Sequence, residues 1–196
     1  MRKIGIVNYG SGNFASVCNA FERLGEKYIE VSRPNQLNEV SHIVLPGVGS
    51  FKGTVMKLNN LGFIDALKEH LLMKKKPYLG ICVGMQILAE KGTEFEVTKG
   101  LNIIPGVVEK LPSLLGKNEV LLPHIGWNEV TFAKQNLLSN SISKNAHFYF
   151  LHSYHFKVVF GNHVIWYCDY GVRFPCLIQN ENVIGAQFHP EKSQVD

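Results

Sequence analysis

The sequence has no run of about eighteen apolar residues, which excludes a membrane-spanning helix of ordinary length. Its opening, Met1-Arg2-Lys3-Ile4-Gly5-Ile6-Val7-Asn8, turns polar too soon to hold the apolar core of a secretory signal, so a cytoplasmic protein is expected. Cysteine is scarce. Cys18, Cys82, Cys168 and Cys176 lie far apart and make no C-x-x-C pair, which argues against structural zinc or a dithiol centre. In a reducing compartment each is a free thiol that either packs or reacts. Dense charge is also missing. The formal net charge of +4 comes from scattered lysines and arginines. The one tight run, Lys74-Lys75-Lys76 before Pro77, reads as a solvated helix end whose cations suit the negative end of the helix dipole. No nucleic-acid partner, membrane contact, metal or cofactor is expected.

What is present is enough apolar residue, 45% of 196, to bury a substantial core in a single domain over residues 1–196. Arg2–Asn8 reads as a buried strand, and Gly12–Leu24 as a helix through the spacing of Phe14, Val17, Ala20, Phe21 and Leu24. Lys27–Val31 and His42–Leu45 read as strands, Phe63–Met73 as helix, Pro77–Ile81 as strand and Met85–Lys91 as helix. Strands alternating with helices imply a parallel sheet covered on both faces. The second half is strand-rich: 103–110, 119–122, 128–132, 146–152, 163–168, 176–179 and 183–188, separated by turns such as Gln179-Asn180-Glu181-Asn182. The expected fold is α/β, a three-layer sandwich with a mostly parallel central sheet and an antiparallel addition. No repeat, linker or low-complexity segment interrupts it.

The segment Tyr78-Leu79-Gly80-Ile81-Cys82-Val83-Gly84-Met85-Gln86 places Gly-x-Cys-x-Gly between an apolar strand and an apolar helix. This is the thiol counterpart of the Gly-x-Ser-x-Gly nucleophile elbow. A sharp turn carries the nucleophile past the strand end, glycines on either side avoid clashes, and a helix N-terminus favours a thiolate. A buried cysteine between two convenient glycines would look the same, so context decides. A thiol nucleophile needs a base near in space and a group to orient that base. His189, in Gln187-Phe188-His189-Pro190-Glu191, directly follows an apolar strand, and Glu191 can reach its second ring nitrogen. Isolated His-x-Glu pairs are mostly surface features. Here both motifs follow strands, as a shared site at the carboxyl edge of a parallel sheet requires.

The elbow and Gln187-Phe188-His189-Pro190-Glu191 resemble the motifs of class I glutamine amidotransferases. Pro46-Gly47-Val48-Gly49-Ser50-Phe51, Pro123-His124-Ile125-Gly126-Trp127-Asn128 and Phe148-Tyr149-Phe150-Leu151-His152-Ser153-Tyr154 narrow the likeness to glutaminase subunits of the imidazole glycerol phosphate synthase type. It runs from Lys3 to Ser193. The resemblance implies a flavodoxin-like fold, with Cys82 as nucleophile, His189 as general base and acid, and Glu191 as its orienting carboxylate. It implies that Gln86 and Gly47-Val48-Gly49 hold L-glutamine, and that N–H groups of Val83 and of the 46–49 segment form the oxyanion hole. The implied partner is a (β/α)₈-barrel cyclase in a heterodimer, which takes the released ammonia through an internal passage and makes imidazole glycerol phosphate and AICAR for histidine. Asn8, Asn13, Trp127 and Asn128 fall in segments that such proteins place near that interface. Trp127 filling the core and Asn128 capping a turn is the plainer alternative. Such chains continue into a closing helix, so one stopping at Asp196 is expected to be shortened or packed differently there.

Three rivals remain. Gly10-Ser11-Gly12-Asn13-Phe14-Ala15, with Glu30 on a following strand, fits a dinucleotide fingerprint and would make a nucleotide-binding oxidoreductase. It leaves Cys82, His189 and Glu191 unexplained. A non-catalytic regulatory subunit would fit an incomplete triad, yet all three positions are filled. The third shares the glutaminase step and sends ammonia to a sugar of a bacterial surface polysaccharide. Cys18 reads as core, Cys168 and Cys176 as packing, and His152-Ser153 carry no expected chemistry because neighbours on a strand face opposite ways.

Overall fold

The first apolar segment folds as β1 (Ile4–Val7), buried along its whole length. The computed structural model describes residues 2–10, 13–115, 118–134, 137–143 and 145–193. In it the longer strands continue as β2 (Tyr28–Val31), β3 (His42–Leu45), β4 (Tyr78–Ile81), β5 (Gly106–Lys110), β6 (His124–Phe132), β7 (His147–His152), β8 (Tyr154–Val158), β9 (Val164–Tyr170), β10 (Val172–Asn180) and β11 (Val183–Ala186). Nine of them form one sheet in the order β7-β6-β9-β10-β11-β4-β3-β1-β2. From β2 to β11 neighbours are parallel. From β11 to β7 they are antiparallel. β8 and β5 belong to a smaller sheet with short strands at Lys91–Gly92 and Thr98–Lys99.

Successive residues of a strand face opposite ways, and that alternation builds the layers. Ile4 and Ile6, with Val44 and Ile81, pack against Val17 and Cys18 of α1 (Phe14–Arg23). On the other face Val7, Ile43, Leu45 and Tyr78 meet Leu58 of α2 (Phe51–Asn60) and Phe63 and Leu67 of α3 (Phe63–Lys68). The antiparallel half has its own core, in which Phe148, Trp166 and Phe188 stack at centroid distances of 4.2 to 6.0 Å. Cys168 and Cys176 are packed into that core. Full burial of each large apolar side chain contributes about 1.5–3 kcal/mol relative to exposure. Helix α1 stops at Gly25, whose φ of 70° lets the Glu26 N–H turn back to the Phe21 carbonyl.

Three local expectations change. The segment 63–73 is helical, but it widens to π winding at Glu69–Met73. The helix expected over Met85–Lys91 is instead one turn, α4 (Val83–Gln86). The carbonyls of Ile87, Leu88 and Ala89, which would continue it, accept from Leu101, Ile103 and Asn102 of a distant loop. The strand expected over 119–122 is a two-residue pairing at Asn118–Glu119. Two elements have weak sequence signals. α2 carries an internal glycine and starts on Ser50, whose side chain accepts from the Gly53 N–H. β8 follows β7 with one residue between them. Gly12, where α1 was expected to start, and residues 194–196, where the C-terminal end was expected to depart from its relatives, lie outside the described residues.

Candidate active site

The turn at Cys82 is built by steric exclusion. Cys82 follows β4 with φ 55° and ψ −110°, a conformation that L side chains rarely adopt. Its N–H is tied to the Ala186 carbonyl of β11 at 2.7 Å, and its carbonyl accepts from Met85 and Gln86 to open α4. A Cβ at Gly80 would lie 2.3 Å from the Gly84 carbonyl oxygen, and one at Gly84 would lie 2.2 Å from the Leu45 oxygen. Strand, turn and neighbouring strand therefore pack so closely that both flanking positions need glycine. Gly47 is constrained in the same way, since its Cβ would fall 2.3 Å from Val83 Cγ1. α4 is too short for much of a macrodipole, so the helix-dipole support expected for a thiolate is weak. What remains are the N–H groups of Val83 and Gly84, which as first-turn donors have no intrahelical acceptor.

β11 is the parallel neighbour of β4, and three residues beyond it comes His189. Its backbone is clamped: the N–H donates to the Tyr149 carbonyl at 2.8 Å, and its carbonyl accepts from Ser193 Oγ at 2.9 Å. The ring is fully buried, with Nδ1 2.7 Å from Glu191 Oε1. Asn13 Nδ2 donates to the same carboxylate oxygen. Nε2 is buried with no well-formed hydrogen bond among the described residues, and Cys82 is close enough to act on it electrostatically. Burial opposes charge on His189, but Cys82 and Glu191 outweigh it and push its pKa up to about 9. Burial works against ionisation of Glu191 as well. The hydrogen bond and charge of His189, with the Asn13 amide, still hold that carboxyl below its usual range.

Cys82, Val48, Gly49 and Gln86 line a cavity of about 250 Å³ together with Glu94, Pro123, Leu151, His152, Ser153 and Tyr154. Glu94 accepts from the Phe51 N–H at 2.7 Å. It sits in an acidic stretch that gave no sign of a role. His152, for which the strand alternation predicts no chemistry, faces this cavity and belongs to a buried chain. Its Nδ1–H donates to the Tyr154 carbonyl at 2.9 Å, its Nε2 lies 3.2 Å from His124 Nδ1, and His124 Nε2 lies 2.7 Å from Asn128. Burial, with a smaller contribution from neighbouring histidines, depresses the His152 pKa from 6.5 to about 3. The unfolded chain therefore binds a proton at this residue between those values while the folded chain does not, so stability falls as pH drops from 6.5 toward 3. We expect the melting temperature to decline through that window and His152→Gln to flatten the decline. An unchanged pH dependence in the variant would refute the assignment.

The four positions expected near a partner divide. Trp127 is half exposed and packs edge-on against Tyr149, so it does not fill the core. Asn128 faces inward onto His124 rather than capping a turn. Asn13 reaches Glu191, and Asn8 donates to Glu30 at 2.9 Å. Glu30 therefore serves Asn8, where a dinucleotide site would aim it at a ribose.

This fold and site define a class. The class I glutamine amidotransferase family model matches residues 5–195, and the chain belongs to that family. That assignment removes the oxidoreductase reading. Among similar curated proteins is imidazole glycerol phosphate synthase subunit HisH 1 of Campylobacter jejuni, 42% identical over 191 residues, covering 97% of this chain and 93% of the relative. Subunit HisH of Leptospira interrogans is 42% identical over 193 residues, and that of Archaeoglobus fulgidus 41% over 191, each covering 97% of this chain and 93% or 91% of its own. A solved glutamine amidotransferase superposes with a TM-score of 0.74 at 19% identity, over 96% of this chain and 90% of its own, which shows a shared fold.

Proposed function

We propose that the chain is the glutaminase subunit of an imidazole glycerol phosphate synthase, hydrolysing L-glutamine through Cys82, His189 and Glu191. The observation that carries this reading is the strained cysteine at the end of β4 beside a buried His–Glu pair at the end of β11. Cys82 gives its proton to His189 Nε2 and attacks the side-chain amide carbon. The resulting oxyanion is met by N–H groups of Val83 and of the Gly47–Gly49 segment. His189 returns the proton to nitrogen, the C–N bond breaks and ammonia leaves a glutamyl thioester. Water, deprotonated by His189, then cleaves the thioester to glutamate and restores the thiol. Glu191 and Asn13 keep the imidazole in place through both halves. A carboxylate on the cavity wall suits the substrate's ammonium group, which assigns Glu94 to the α-amino end.

The ammonia goes to a (β/α)₈-barrel cyclase bound as a heterodimer in the cytoplasm. Leu121, Ile125 and Trp127 are exposed apolar side chains flanking Pro123, which lines the cavity, so a partner covering them would sit at its mouth. Glutamate release should rise when a histidine-pathway cyclase carrying its phosphoribulosyl ligand is added. Release that ignores this cyclase would favour the acceptor sugar of a surface polysaccharide. Trp127→Ala is expected to weaken cyclase binding by about tenfold or more in titration calorimetry, as loss of a buried aromatic anchor does. Unchanged affinity would move the interface elsewhere.

A further inference from the structure

Two buried amides stand behind the Cys82 sulfur, and their polarity is set from one end. The Tyr154 backbone carbonyl can only accept, so Gln86 must turn its NH₂ group toward it, at 2.8 Å. The same NH₂ group donates to Gln187 Oε1 at 3.0 Å. With its oxygen held there, Gln187 presents Nε2 to Cys82 Sγ, 3.7 Å away. Flipping the Gln187 amide would set donor against donor at Gln86 and oxygen lone pairs against sulfur. Gln187 is fully buried and Gln86 nearly so, which keeps water from relieving either clash.

We propose that Gln187 donates a hydrogen bond to the Cys82 thiolate, and that Gln86 acts through Gln187 to keep this donor aimed. The inference rests on Cys82 being the nucleophile and adds a second group that touches the reacting atom. His189 carries the proton, whereas Gln187 moves none and stabilises the anion left when the proton goes. A thioester sulfur is a weaker acceptor, so the same N–H favours sulfur both before attack and again as the leaving group of deacylation. It also fixes what Gln86 can offer substrate. Both of its amide hydrogens are engaged, leaving Oε1 as an acceptor.

The test is the pH profile of Cys82 alkylation by iodoacetamide in the full chain, followed by mass spectrometry. Gln187→Met, which fills the space without a donor, should raise the pH of half-maximal alkylation by about one unit, the loss expected for a hydrogen bond to a charged group. Gln187→Glu keeps the contact with Gln86 and turns an oxygen toward sulfur. It should shift the profile the same way, and it carries the test should the methionine variant not fold. Gln86→Met should give a smaller shift in the same direction, since the Gln187 amide is then free to turn. A wild-type profile in a folded Gln187 variant, with wild-type Cys82 reactive and required for glutamine hydrolysis, would overturn the inference alone. If Cys82 resists alkylation and Cys82→Ala still hydrolyses glutamine, the nucleophile reading fails and the inference fails with it.

Discussion

Cys82→Ala is expected to lower the rate of glutamine hydrolysis by about 10⁴-fold or more, since removing the proposed nucleophile leaves the binding groups without a bond to form. Glutamate release measured with and without the cyclase checks this, and a variant within tenfold of wild type would sink the covalent mechanism. The same position should separate activity from stability. At φ 55° any side chain is strained, by about 1–3 kcal/mol, whereas glycine is at ease there. Cys82→Gly should therefore be as inactive as the alanine variant yet melt higher than it, by about 2–4 °C for each kcal/mol relieved in a chain of this size. Equal melting temperatures would mean that the elbow stores no strain.

His189→Gln should cost about 10²–10⁴-fold in kcat/KM, the usual contribution of a positioned proton carrier. The pH profile gives a sharper outcome. With its pKa raised to about 9, His189 holds a proton below that value and loses it as pH climbs through it, and the proposed mechanism needs that proton for the leaving nitrogen. Activity should therefore fall on an alkaline limb near pH 9. Glu191→Gln removes a charge that supports the imidazolium, so the limb should move to lower pH while the protein stays folded. A limb that stays in place would show that Glu191 does not set the proton affinity of His189.

The alternation of short apolar strands with helices was legible because a strand buried on both faces reads as an apolar run, and β1, β3 and β4 fall within two residues of where the pattern puts them. Gly80 and Gly84 were legible for a related reason: a backbone crossing so tight leaves no space for a Cβ, and that demand is written in the residue type. The spacing predicts a longer helix than α4 because apolar Ile87, Leu88 and Ala89 continue the helical period while their carbonyls bond to a loop more than ten residues away. α2 lacks the periodicity and β8 the separating turn that would announce them in the sequence.

The sequence by itself determined the candidate groups, a thiol between obligatory glycines and an imidazole two residues before a carboxylate, because those requirements are local. Tertiary structure decided their company. Asn13 joins Glu191 across the chain, Gln86 joins Gln187, and Glu94 and His152 reach the cavity through pairings of segments far apart in sequence. Hydrogen-bond partners of buried groups are chosen by what the fold brings within about 3 Å, and no spacing along one segment encodes that.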